Sequence, residues 1–210
     1  MKSLPLHVRL PSPPRPFVGR EADLARLRSA RDAGARVIVL TGAPGVGKTA
    51  LLAEHLGRHE AVERVIFVDM GAAPTEGGAR GPLLDALLAA APDATPPPAD
   101  DGARDAWLVD TAEAGAFTVV LDGLERAHAG ADALVAALGR HARRSAWWIT
   151  SRGLAPAPSA ALVPVPLGPM ATDELIELAR FVATAAGLDP ARADAAAARA
   201  HAPPGSCSRA

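Results

Sequence analysis

The chain has 210 residues, enough for one domain or for one domain and part of another. Its 22 basic and 23 acidic residues leave a formal charge of −1, which gives no bulk electrostatic reason to bind nucleic acid or an anionic membrane. Hydrophobic residues make up 49% but aromatics only 3%, and tyrosine is absent, so the core must be assembled from many small contacts. The single cysteine, Cys207, excludes an internal disulfide framework, and no apolar run approaches the roughly 18 residues of a membrane helix, so the chain reads as soluble and cytoplasmic.

Residues 1–16 carry Pro5, Pro11, Pro13, Pro14 and Pro16, which remove backbone donors and predict an extended leader, a linker in preference to a docking peptide. Leu24 and Leu27, with Ala30, recur at helical spacing from Glu21 to about Ala33, and Gly34 ends this surface helix. Val37-Ile38-Val39-Leu40 is a short apolar strand. Gly42-Ala43-Pro44-Gly45-Val46-Gly47-Lys48-Thr49 follows it as G-x-x-x-x-G-K-T, and Ala50 opens a helix running to His59. Arg64-Val65-Ile66-Phe67-Val68, ending at Asp69, makes a second strand. Leu83, Leu84, Leu87 and Leu88 mark the next helix, and the Pro/Asp-rich stretch 92–102 reads as a loop. Thr118-Val119-Val120-Leu121 is a third strand, 131–142 a helix, and Ala146-Trp147-Trp148-Ile149-Thr150 a fourth strand, in which one tryptophan is expected in the core. Leu162 to Leu167 forms a fifth, placed at a sheet edge by Pro164 and Pro166.

This alternation predicts a three-layer α/β fold around a central parallel sheet. Beyond it the pattern is helical alone. Thr172 caps a helix with Asp173 and Glu174 in its first turn and Leu175, Ile176, Ala179, Val182 and Ala183 as its apolar stripe. Asp189-Pro190 opens a second, alanine-rich helix, and Pro203-Pro204-Gly205-Ser206 ends order. The expected organisation is a leader at 1–16, a core at 17–168, a partial helical domain at 169–201 and a disordered tail at 202–210.

The glycine loop carries the chemistry. Its backbone N–H groups turn inward around a phosphate chain, and the helix after it presents its positive dipole end to the same anion. Lys48 reaches the β/γ-phosphates and the Thr49 hydroxyl ligates Mg²⁺. Lys2 and Lys48 are the two lysines of a chain that otherwise uses arginine, so an ammonium at position 48 runs against its own bias. Asp122 directly follows an apolar strand in the Walker B pattern, where its carboxylate serves Mg²⁺ through the metal's water shell. Glu125 is a candidate to polarise an attacking water, with a solvated loop acid as the alternative, and Gly123 occupies the place where many proteins with this G-x-x-x-x-G-K-T loop, the P-loop ATPases, carry their catalytic acid. Arg152, after the fourth strand, is placed to sense the γ-phosphate or is a plain surface arginine. His55 and His59, four residues apart, read as surface histidines in preference to a zinc pair, and Arg143-Arg144 as a solvated helix end.

Taken together these segments resemble the STAND class of signal-transduction ATPases, the AAA-related group that includes NB-ARC domains. Phe17-Val18-Gly19-Arg20-Glu21 is similar to the opening segment of that class, and the resemblance implies that Val18, Gly19 and Arg20 pack near adenine. Thr41 to Thr49, Val119 to Glu125, Ile149 to Arg152, and Val165-Pro166-Leu167 with Thr172-Asp173-Glu174-Leu175 match its later segments in order. The resemblance implies an ATP/ADP-dependent switch with slow Mg²⁺-dependent hydrolysis. Ala202-Pro203-Pro204-Gly205 stands where the class closes over its nucleotide, which implies a helical domain cut short and a protein partner or self-association through it. Two alternatives stay open. One is a nucleotide-binding interaction module without meaningful turnover; the other is a small-molecule kinase, for which no arginine-rich lid is visible.

Overall fold

The computed structural model describes residues 11–12, 15–59, 65–71, 80–126, 130–154 and 156–189. Most of the leader, the helix expected after Pro190 and the tail lie outside them. In chain order the elements are α1 (Glu21–Asp32), β1 (Val37–Thr41), α2 (Lys48–His59), β2 (Val65–Asp69), α3 (Arg80–Ala90), α4 (Asp101–Gly115), β3 (Thr118–Asp122), a 3₁₀ turn (Leu124–Arg126), α5 (Ala131–His141), β4 (Ala146–Ser151), β5 (Leu162–Pro166) and α6 (Thr172–Ala185).

The five strands form one parallel sheet in the order β2-β3-β4-β1-β5. Parallel strands buried on both faces read as unbroken apolar runs, which is why four- and five-residue stretches of Val, Ile and Leu sufficed to locate them. One face places Val37, Val39, Ile66, Val68, Val119, Leu121, Trp147 and Ile149 against α3, α4 and α5 in a single cluster. Alternation turns Ile38, Leu40, Val120 and Trp148 to the opposite face, where the His55 ring of α2 lies 4.8 Å from that of Trp148. Both tryptophans are fully buried, one in each layer, so the pair is core on both sides and neither is available to stack on a base. His55 is buried as well, a correction to its reading as a surface residue, while His59 is exposed.

β5 is an edge strand. Its partner β1 receives the Leu167 N–H at the Thr41 carbonyl, 2.7 Å away. Strand donors alternate, so the amide positions of Pro164 and Pro166 face the open edge, where a missing N–H costs no ladder bond.

α4 occupies residues where sequence reasoning placed the end of a loop and then no element. Asp100 caps it, its carboxylate accepting the Ala103 N–H at 2.8 Å. Its buried face holds Asp105 beside Trp107, Leu108 and Ala112, and this acid is met by a two-pronged Arg80 from α3, Nε to Oδ1 at 2.6 Å and Nη2 to Oδ2 at 2.8 Å. A charge inside the apolar stripe hides the helical period. At the far end of α4, Glu113 accepts the backbone N–H groups of Arg143, Arg144 and Ser145 and the Ser145 hydroxyl, tying α4 to the turn before β4. The Arg143 and Arg144 side chains around that turn are exposed, as expected of a helix end.

Packing divides the chain into two units. Among the described residues, 11–12 and Asp23–Gly168 form one, and 15–22 group with 169–189 in the other. In the second unit α6 is capped at Ala171, one residue before the expected Thr172, and alanine has no side chain to accept the orphan donors. Glu174 serves instead, one oxygen taking the Ala171 N–H at 3.0 Å and the other the Arg20 N–H at 2.6 Å. Of the expected stripe on α6, Ala183 is buried but Val182 is 56% exposed, with Phe181 and Leu188 also exposed.

Candidate phosphate and metal site

The functional side chains of the first unit converge at the carboxyl edge of the sheet, where adjacent strands deliver them: the glycine loop from β1, Asp122 from β3, and Thr150 to Arg152 from β4. They surround a cavity of about 300 Å³ whose walls include Pro44, Gly45 and Gly47 of the loop, Lys48, Thr49 and Ala50 of α2, and Asp122, Glu125, Thr150 and Arg152 opposite. A larger cavity of about 740 Å³ between the 91–98 segment and α4 is walled mostly by alanine and proline, and none of its lining residues is basic. Phosphate chemistry therefore belongs to the smaller one.

In the loop Gly47 holds φ at 97°, a left-handed value that a side chain would strain, and Val46 donates its N–H to the Ala43 carbonyl at 3.4 Å. Lys48 Nζ reaches back to the carbonyls of Gly42 at 2.8 Å and Ala43 at 2.9 Å. The ammonium is thus held across the mouth of the loop by acceptors that a phosphate oxygen can replace.

Thr49 and Asp122 meet directly. The Thr49 hydroxyl donates to Asp122 Oδ1 at 2.7 Å, and the Thr150 hydroxyl donates to the same oxygen at 2.6 Å while accepting the Gly123 N–H at 2.8 Å. A hydroxyl and a carboxylate at one point form an oxygen-only donor set of the kind hard divalent cations take, and Mg²⁺ keeps several waters, so two protein groups suffice. The residues present fit Mg²⁺ and a phosphate chain. Thr150 is a site residue that sequence reasoning passed over in favour of its neighbour Arg152; a hydroxyl at the end of a buried strand, beside the Walker B strand, was the available signal.

Gly123 is accounted for by geometry. Its φ is 74°, and a Cβ there would lie 3.0 Å from the Arg126 guanidinium carbon. Arg126, also unforeseen, lies on the cavity wall and pairs with Asp69 at the end of β2, Nη1 to Oδ1 at 3.2 Å. The left-handed backbone at the position after Asp122 strains any side chain there, and the end of Arg126 would have to shift to admit an acid. Glu125 and Arg152 face each other across the same wall: Arg152 Nε lies 3.0 Å from Glu125 Oε1, and the Arg152 N–H donates to Oε2 at 3.2 Å.

Val18, Gly19 and Arg20 belong to the second unit. There Arg20 holds φ at 67°, unusual for a residue with a side chain, with its N–H on Glu174. No group of three or more His, Cys, Asp or Glu that could hold a metal occurs among the described residues, and no described helix is long and apolar enough to cross a membrane.

Comparison with known proteins agrees with this geometry. Among the solved structures that share the fold are a STAND protein with a tetratricopeptide-repeat sensor from Pyrococcus horikoshii (TM-score 0.58, 15% identity, 92% of this chain and 29% of that one), a Walker-type ATPase of Pyrococcus abyssi (0.59, 16%, 91% and 65%) and Cdc6p from Pyrobaculum aerophilum (0.58, 16%, 82% and 52%). The chain thus spans less than two thirds of the length of each of the three. No curated protein matches the sequence. A family profile described as the AAA ATPase domain matches residues 16–150, from ahead of α1 to the penultimate residue of β4. With a glycine loop, a strand-end aspartate and the parallel strand order those residues build, the chain belongs to the AAA ATPase domain family.

Proposed function

We propose that this chain is a STAND-like regulatory module: it binds ATP or ADP with Mg²⁺, hydrolyses ATP slowly, and reports through Arg152 whether the γ-phosphate is present. The observation that carries this reading is the placement of Arg152 on the cavity that Lys48, Thr49 and Asp122 line, a guanidinium fork of the kind that matches phosphate oxygens. Backbone N–H groups and Lys48 hold the phosphates, Thr49 and Asp122 hold Mg²⁺, and the metal, when bound, neutralises charge that develops on the phosphoryl oxygens. Slow turnover is supported by Gly123 beside Asp122 and by the engagement of Glu125 with Arg152. Unassisted hydrolysis at such loops runs near 10⁻⁴ s⁻¹, roughly 10³–10⁵-fold below the rate with a supplied arginine.

The same two features favour a second reading, nucleotide binding without meaningful turnover, and single-turnover hydrolysis separates the two. Contact of Val18, Gly19 and Arg20 with adenine, a cytoplasmic setting, and a partner or second copy at the exposed Phe181, Val182 and Leu188 belong to the proposal; light scattering with ADP and with a non-hydrolysable ATP analogue tests the last. Isothermal titration tests the core of it. Wild type should bind both nucleotides in a Mg²⁺-dependent manner and Lys48→Ala should lose most of that affinity, whereas equal affinities would remove the glycine loop from the argument.

A further inference from the structure

The carboxylate of Glu125 is already in use. Each of its oxygens takes a donor from Arg152, Oε1 from the guanidinium at 3.0 Å and Oε2 from the backbone N–H at 3.2 Å, and its side chain is 23% exposed against 53% for Arg152. The two residues arrive on adjacent strands, Glu125 in the 3₁₀ turn after β3 and Arg152 just after β4. The backbone bond fixes where the acid stands. The side-chain bond decides where the guanidinium points.

We propose that Glu125 sets the preference of the site for ATP over ADP by competing with the γ-phosphate for Arg152, and that it is a positioning residue for that arginine and not the base that activates water. Both anions want the same fork. A terminal phosphoryl group carries more charge and more acceptor oxygens than a carboxylate, so it draws the guanidinium from Glu125, while ADP leaves the pair intact. A partly exposed ion pair is weak enough to be broken in this way without unfolding anything around it. The backbone N–H on Oε2 keeps Glu125 in place to recapture Arg152 once the γ-phosphate has gone.

The inference rests on the switch reading, and the two fail differently. The experiment measures ATP and ADP affinities by titration calorimetry for wild type, Glu125→Gln, Arg152→Ala and the double variant, with the fold of each checked by circular dichroism. Glu125→Gln keeps the shape but loses the charge; it should tighten ATP binding roughly two- to fivefold, the range an exposed ion pair spans, and leave ADP unchanged. Arg152→Ala should bring the ATP/ADP ratio down, and adding Glu125→Gln to it should change nothing further, because the competitor then has no object. An unchanged ATP/ADP ratio in Glu125→Gln overturns the proposal, and a ratio unchanged with single-turnover hydrolysis reduced assigns Glu125 to water activation instead. Wild type that binds neither nucleotide overturns the switch reading itself, and this inference with it.

Discussion

Replacing Thr150 by valine removes one oxygen from the interior and nothing else of comparable size. That oxygen donates to Asp122 Oδ1 and accepts the Gly123 N–H, and Thr150 is 1% exposed, so water cannot substitute for it. A hydrogen bond to a charged group contributes about 1.5–3 kcal/mol, and a buried N–H left without an acceptor costs about 1–3 kcal/mol. The two losses share one atom and do not add fully, so Thr150→Val should cost about 2–4 kcal/mol. For a chain of this size roughly 2–4 °C of melting temperature accompanies each kcal/mol, so calorimetry should register a fall on the order of 4–16 °C. Thr150→Ser, which keeps the hydroxyl, should recover most of it. A functional consequence accompanies the structural one: with one of its two described hydroxyl partners gone, the Asp122 carboxylate keeps that of Thr49, and the Mg²⁺ concentration needed for half-maximal nucleotide binding should rise. A valine variant within about 0.5 kcal/mol of wild type, with unaltered Mg²⁺ dependence, would refute the reasoning.

Acid should destabilise the protein in two stages. Burial, followed by the positive charge of His59, Arg28, Arg31 and Arg58 around a ring that packs on Trp148, lowers the His55 pKa from 6.5 to about 4. The unfolded chain therefore binds the extra proton between those values, and stability falls as pH drops from 6.5 towards 4, by about 1–2 kcal/mol after screening. His55→Leu should flatten that arm of a urea-midpoint profile against pH, and an unchanged slope would exclude His55 as its source. Below it a second loss sets in: burial alone would raise the Glu113 pKa, but the Ser145 hydroxyl and the N–H groups of Arg143, Arg144 and Ser145 outweigh it and hold the carboxyl below its usual 4.5, so that contribution is lost as pH falls through the lowered value. Glu113→Gln should remove this acid arm and leave the His55 arm in place. Finally, Gly123→Glu installs an acid next to Asp122 but at φ 74° and against Arg126; it should lower the melting temperature without raising turnover, and a stable, faster variant would show that Gly123 is not held by its surroundings.

The amino-acid sequence by itself determined the five strands and the helices other than α4, the glycine loop with Lys48 and Thr49, the strand-end Asp122 and the edge position of β5. Each is a local property, since a buried parallel strand is an apolar run, a phosphate loop needs glycines at set spacing, and a proline in a strand demands an open side. Tertiary structure alone decided how those parts meet. Thr150 bridging Asp122 and Gly123 spans 28 and 27 residues of sequence, and Arg152 on Glu125 spans 27. Nothing in periodicity encodes such pairs, because they arise where two neighbouring strands end side by side. α4 escaped notice for a related reason: Asp105 breaks its apolar stripe and is tolerated only because Arg80 arrives from another helix. His55 looked like a surface residue because helical spacing does not say which face a sheet will cover, and the Trp148 ring of β4 covers this one. Burial is conferred by the partner, and the partner is chosen by the fold.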